Sequence, residues 1–185
     1  DAQESRGLGD VYKRQGSTIE AIWWLTHSHP FRKTPEGPIR GRVVAVDFLN
    51  GVDKIILPLY KQWLPKKFLI NGSWEDSYSK ERHVLTLNNG SFVEFMSQDQ
   101  DLDKFAGSSR HFIHFDEECP QTVFRECLAR LVDTGGVWWM SQTPVQGMEW
   151  IFEDIYIPAK EGTKPIGIVE AEICLLYTSP SPRDS

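Results

Sequence analysis

Apolar positions along the chain fall into short blocks separated by polar stretches rich in Pro and Gly, and the spacing inside the blocks alternates between helical and strand-like. Ile19, Ile22 and Trp23 recur at helical spacing within Gly16 to Thr26, which predicts a helix that Pro30 ends. After a loop over His29 to Pro38, Arg42 to Asp47 (RVVAVD) is the compact Val-rich run expected of a parallel strand covered on both faces. Gly51 to Leu64 returns to the helical period and reads as an amphipathic helix closed by Pro65. Lys67 to Ile70 and His83 to Phe95 are β-type, and Asn88-Asn89-Gly90 between VLTL and FVEF is a strong hairpin signal. Asp101 to Phe105 suggests a short helix or turn. His111 to Phe115 (HFIHF) and Val137 to Ser141 (VWWMS) suit buried strands, with a helix over Gln121 to Val132 between them. Met148 to Tyr156 reads as helical and Ile166 to Ile173 as a closing strand. This alternation predicts an α/β, three-layer, mostly parallel sheet with an inserted antiparallel hairpin and no internal repeat.

Composition narrows the class. The chain has 185 residues, 40% hydrophobic and 25% charged, with a net charge of -6, which suits one soluble globular domain. No apolar run approaches the roughly 18 to 20 residues of a membrane span, and the N-terminus lacks a secretion pattern, so neither insertion nor export is expected. Cys119, Cys127 and Cys174 have no C-x-x-C spacing, which favours a reducing compartment over a disulfide framework or a zinc site. The acidic balance argues against a dedicated nucleic-acid module but leaves room for a local basic patch.

The two ends read differently from the aromatic-rich middle. Ser5 to Gln15 (SRGLGDVYKRQ) can be written in codons whose reverse complement, read one base later, translates as CLLYTSPSPR, which is Cys174 to Arg183. The string resembles the adapter of transposase-based sequencing libraries. Residues 1–15 and 174–185 are therefore expected to be adapter-derived tails around residues 16–173, and the natural protein to be longer. Four basic and four acidic residues lie in those tails, so the charge of -6 belongs to the middle.

The segment richest in chemistry is HFIHFDEE, residues 111–118. Four mainly apolar residues make a strand, and Asp116 and Glu117 fall where it ends, at the sheet edge where ligands of open α/β sheets bind. In a nucleoside triphosphatase, Asp116 would hold Mg²⁺, usually through water, and Glu117 would activate the attacking water. Alternatively, Glu117 or Glu118 simply begins the next helix and complements its dipole. A second buried strand follows, ending in Ser141-Gln142-Thr143-Pro144. Such a polar tip could sense a γ-phosphate, or it could be an ordinary Thr-Pro turn.

Together, FAGSSRHFIHFDEECP, RECLARL and VWWMSQTPVQG resemble the large-subunit terminases of tailed phages over residues 16–173. The resemblance implies a sheet of the P-loop NTPase (RecA/ASCE-like) type and an ATPase that couples Mg²⁺-dependent ATP hydrolysis to translocation of double-stranded DNA into a prohead. It implies Asp116 as the Walker B aspartate, Glu117 as the catalytic carboxylate and Ser141, Gln142 and Thr143 as the coupling motif. Phe105-Ala106-Gly107 would be the loop before Walker B, and Arg110 and Arg130 are candidate phosphate-facing arginines. It further implies a portal protein, a small terminase subunit, a homo-oligomeric ring and the host cytoplasm.

One departure is decisive. The chain contains no G-x-x-x-x-G-K-[ST] phosphate loop. The run from Gly9 to Thr18 has glycines and a Ser-Thr but no Gly-Lys pair, so the loop is expected upstream of Gly16 and this chain is expected to be inactive. Two other readings stand beside the terminase one: a helicase-type motor, and a non-catalytic α/β binding module whose acids serve as caps. The pairs His27/His29 and His111/His114 are spaced to point to different faces, which disfavours a metal site. Trp23-Trp24 and Trp138-Trp139 read as core, and Lys61, Lys66 and Lys67 as a solvated basic cluster.

Overall fold

The computed structural model describes residues 2–143 and 149–170, the stretch 2–11 by its backbone alone. The chain divides into two compact units: Arg14–Gln142, and a smaller one formed by Asp1–Lys13 and Thr143–Ser185.

Helix α1 runs over Ala2–Thr26. The expected helix from Gly16 is therefore extended upstream through a segment with no apolar period. Strand β1 (Arg40–Ala45) follows the Pro/Gly loop. Asp47 then caps a π-helical stretch, Phe48–Ile56, by accepting from the Asn50 N–H at 2.5 Å, and α2 (Leu57–Trp63) continues it. Lys67 to Ile70 falls within two 3₁₀ turns, Lys66–Phe68 and Ile70–Gly72, rather than a strand, with a bridge between Leu69 and Leu87. The short α3 (Trp74–Ser77) leads into β2 (Tyr78–Ser79), β3 (Val84–Thr86) and β4 (Phe92–Ser97).

The hairpin between β3 and β4 forms as predicted. Gly90 supplies the positive φ of +81°, and Asn89 ties the turn to α1 by donating to the Leu25 carbonyl at 2.9 Å. A 3₁₀ turn over Leu102–Phe105 precedes β5 (Phe112–Asp116). Helix α4 (Gln121–Ala129) and β6 (Val137–Ser141) complete the larger unit.

The six strands lie in the order β2-β3-β4-β1-β5-β6. Pairings β4/β1, β1/β5 and β5/β6 are parallel, and β2/β3 and β3/β4 are antiparallel. The expected mostly parallel α/β sheet with an inserted hairpin is thus what the chain forms. Helices cover both faces. Ala21, Ile22, Trp24 and Leu25 of α1 join Val52, Ile56 and Tyr60 in one core cluster with Val43, Phe95 and Phe112 of the sheet. Across the sheet, Phe124 of α4 packs on Phe115 and Trp138, with ring centroids 5.2 and 5.1 Å away.

Gly41 is needed in β1, because a Cβ there would lie 2.1 Å from the Phe112 ring. The missing side chain lets Phe112 lie over the strand, where it stacks on Trp139 at 5.1 Å. Trp139 in turn stacks on the His114 imidazole at 5.8 Å, giving a ring ladder across β5 and β6.

Besides the start of α1, the described residues of the smaller unit include a helical run made of Glu149–Ile151, Phe152–Tyr156 and Ile157–Lys160. Residues 166–170 form no strand. Glu170 instead accepts from Tyr156 Oη at 3.0 Å and Lys160 Nζ at 2.8 Å. The rest of the expected closing strand, Pro144, Met148 and the tail 174–185 lie outside the described residues. Among the described residues, no helix is long and apolar enough to cross a membrane.

Candidate functional site

Asp116 ends β5, and β5 borders the point where strand order reverses: the chain leaves β1 to build β4 on one side and returns to lay β5 on the other. In open α/β sheets the crevice at the carboxyl ends of such strands is where ligands bind. Residues 116 and 117 of a regular strand would point to opposite faces. Here Glu117 takes a left-handed backbone, φ +74°, and its N–H donates to the Ser141 carbonyl at 2.8 Å. That conformation is costly for a residue with a Cβ, and it turns the second carboxylate toward the first.

Arg14 of α1 reports the result. Its Nε donates to Asp116 Oδ1 at 2.9 Å and Oδ2 at 3.1 Å, and its Nη2 donates to Glu117 Oε1 at 2.6 Å. One guanidinium thus spans both acids. The reading in which these acids cap the next helix does not match the structure: α4 starts at Gln121 behind Pro120, with no acidic residue in its first turn.

Asp116 is buried, and burial raises its pKa to about 6. Glu117 pushes the same way, while Arg14 and the Ser141 hydroxyl oppose both. Ser141, at the tip of neighbouring β6, donates to Asp116 Oδ1 at 3.4 Å and lies 3.1 Å from His114 Nε2. Burial pushes His114 down to about 3, with the Arg14 charge adding to the effect, so its ring is neutral. His114 is the member of this group that sequence reasoning missed. Its signal was a polar side chain on the same strand face as Asp116, two residues earlier.

The expected coupling residues are only partly brought together. Ser141 contacts Asp116, and half-buried Gln142 follows it at the end of the larger unit. Thr143 belongs to the smaller unit, where its Oγ1 accepts from Lys13 Nζ at 2.7 Å.

The two candidate phosphate-facing arginines are corrected. Arg110 precedes β5 at its opposite end, about 20 Å from Asp116 at a rise of ~3.3 Å per residue. It is buried there, its guanidinium held by Glu94 Oε1 at 2.6 Å and by the Ser108 carbonyl at 2.6 Å. Arg130 lies at that same end, its carbonyl bonded to the Arg110 N–H. It donates to the Gly107 carbonyl at 3.0 Å and pairs with Glu126 at 3.1 Å.

The remaining sequence candidates resolve into structure. His29 pairs with Glu20, and His111 Nδ1 accepts from the Arg40 N–H. Lys61 and Lys67 lie over the rings of Trp74 and Phe68. Cys119 and Cys127 are buried free thiols, and burial raises Cys119 to about 12.

Comparison with solved structures fixes the architecture. The chain is similar to the large terminase from a thermophilic bacteriophage (crystal form 2), with a TM-score of 0.58 at 13% identity, covering 78% of this chain and 34% of that one. The fold is a large-terminase fold. The same enzyme in complex with ADP (crystal form 3) gives a TM-score of 0.57 at 14% identity, over 78% of this chain and 34% of that one. This chain spans about a third of the terminase chains it resembles. No protein-family model matches it, and no curated protein does.

Within this terminase fold, the carboxylate pair suits a cation, since Arg14 already supplies one to both acids. No cluster of three or more His, Cys, Asp or Glu side chains among the described residues is built to hold a metal by itself. Asp116 and Glu117 are the kind of carboxylates on which Mg²⁺ relies, one or two at a time, alongside waters and phosphates. A nucleotide fits less well. Residues 13–18 lie inside α1, where backbone N–H groups are spent on helical bonds, so they form no phosphate cradle.

Proposed function

We propose that this chain carries most of the motor ATPase domain of a phage large terminase, with residues 1–15 and 174–185 foreign to it. The domain would couple Mg²⁺-dependent ATP hydrolysis to packaging of double-stranded DNA. It would do so in the host cytoplasm, as part of a homo-oligomeric ring with a portal protein and a small terminase subunit. The supporting observation is the carboxylate pair. Asp116 and Glu117 share one guanidinium at the tip of a central parallel strand, brought together by a left-handed turn at Glu117.

In this reading Asp116 holds Mg²⁺ largely through water, and Glu117 orients and deprotonates the attacking water. Bound Mg²⁺ would neutralise developing phosphate charge. Ser141, bonded to Asp116, passes the state of the site to β6, with Gln142 and Thr143 continuing the motif. The ADP complex of the thermophilic phage enzyme supports nucleotide binding by this fold. Lacking a phosphate cradle, the 185-residue chain binds nucleotide poorly.

Calorimetry with Mg-ATP tests the reading. The 185-residue chain should give no heat. A version whose residues 1–15 are replaced by a strand and a G-x-x-x-x-G-K-[ST] loop should bind ATP and hydrolyse it, losing about 100-fold or more in rate on Glu117→Gln. A silent trace from the repaired chain would defeat the motor reading and favour a binding module. Hydrolysis by the unrepaired chain that falls on Glu117→Gln would defeat the need for the loop.

A further inference from the structure

Neither the family resemblance nor the proposed mechanism uses His114. His114, Ser141 and Asp116 share the sheet face that α1 covers. His114 and Asp116 are alternate residues of β5, and Ser141 is the strand neighbour of Asp116 in the parallel register. All three are buried, and the Trp139 ring lies 5.8 Å from the imidazole at 19° between planes, which holds it in place.

The direction of the hydrogen bonds follows from counting protons. Ser141 has one hydroxyl proton and two neighbours that could take it. If it went to His114 Nε2, the imidazole would carry its proton on Nδ1. Nδ1 is buried and has no hydrogen-bond partner among the described residues, so that N–H would be orphaned. Asp116 Oδ1 would lose its hydroxyl donor at the same time. Asp116 Oδ1 would keep its bond from Arg14, but the buried Nδ1–H would go unsatisfied, and a buried donor without a partner is costly. In the opposite sense, His114 Nε2–H donates to Ser141 Oγ, and Ser141 donates to Asp116 Oδ1. Only a bare Nδ1 lone pair is left, and orphaned acceptors are better tolerated than orphaned N–H groups.

We propose that His114 is a positioning residue. By donating from Nε2 it forces the Ser141 proton onto Asp116 and sets the orientation of the acid that faces the cation. The functional meaning rests on the reading of Asp116 given above; the hydrogen-bond polarity does not. A His114 donor makes the Ser141 hydroxyl a one-way link, unable to turn from Asp116 without stranding a buried N–H.

Long-range ¹H–¹⁵N correlation on the uniformly labelled 185-residue chain reads the tautomer directly. The expected result is a single neutral Nε2–H form whose ring proton is protected from exchange and close in space to the Ser141 β protons. Ser141→Ala should move that proton upfield and speed its exchange. His114→Gln, whose amide reaches as far as Nε2, should leave the Ser141 Cβ and Asp116 carboxyl carbon shifts at their parent values, and His114→Leu should displace both. An Nδ1–H tautomer, or a ring proton indifferent to Ser141→Ala, overturns the proposal. So does equal displacement by Gln and Leu, which would mean that His114 only fills space. The wild-type spectrum decides the polarity even if a variant fails to fold. It involves no nucleotide, so a silent calorimetry trace with a confirmed tautomer would defeat the motor reading alone.

Discussion

Two clusters of carboxylate and guanidinium groups sit on this sheet, and they use the same chemistry for opposite ends. Glu94 of β4 is gripped by two arginines, Arg42 at 2.5 Å and Arg110 at 2.6 Å. Each arginine spends further donors on backbone carbonyls: Arg42 on Phe105 at 2.8 Å, Arg110 on Ser108 at 2.6 Å. Arg42 is only 1% exposed. At the carboxyl end of β5 the guanidinium of Arg14 is the shared group, bonded to both Asp116 and Glu117. A buried charge whose partners are all inside the fold is scaffolding. A pair of acids meeting at a cation on the carboxyl edge of the sheet is instead the arrangement that the proposed Mg²⁺ site would use.

The largest effect should come from breaking the closed cluster. Arg42→Leu leaves Glu94 with half its compensation and empties contacts to Phe105 and Cys127. A loss of about 3–5 kcal/mol in urea unfolding is expected, and a loss below a third of that would mean that the cluster is not scaffolding.

The open cluster should instead show itself in pH dependence. Asp116 titrates near 6 in the folded chain, above the ordinary carboxylate value. The folded state therefore holds that proton more firmly than the unfolded state does. The resulting stability is fully present below about pH 4 and is lost as pH rises through about 6. Asp116→Asn should gain on the parent by on the order of 2 kcal/mol between pH 4 and 7.5, and parallel stability profiles would refute the shift.

A smaller cost, about 1–2 kcal/mol at neutral pH, is expected for Arg14→Gln. The informative readout is cation binding: millimolar Mn²⁺ should broaden NMR signals around Asp116 in the variant but not in the parent. The smallest effect should be a gain. Glu117→Gly relieves the left-handed backbone at φ +74° and should stabilise the chain by about 1 kcal/mol while removing an acid from the site. A destabilised variant would show that the turn is not strained.

The same contrast separates what the sequence disclosed from what it hid. The hairpin at Asn88-Asn89-Gly90, the Val-rich β1 and the apolar runs of β5 and β6 were legible because period and turn chemistry are local. Asp116 and Glu117 were legible as a strand end, but nothing in the string announced the left-handed turn that joins them. Arg110 and Arg130 were misplaced because a charge near a motif in sequence can lie at the far end of the same strand. Lys67 to Ile70 and residues 166–170 looked β-like by composition and formed no strand, the first because its backbone closes 3₁₀ turns, the second because Glu170 is drawn to Tyr156 and Lys160. His114 and Arg42 were hidden in plain view, as polar residues inside strands whose partners come from elsewhere in the chain.

The absent side chain of Gly41 has a mechanical consequence. The Phe112 ring occupies the gap, Trp139 rests on Phe112, and His114 rests on Trp139, so the tips of β5 and β6 are braced by stacked rings that cannot slide without opening a void. That bracing ties β5 to β6 just below the carboxylate tip. Load applied to either strand would be shared by both, and Asp116 and Ser141 would travel as one piece.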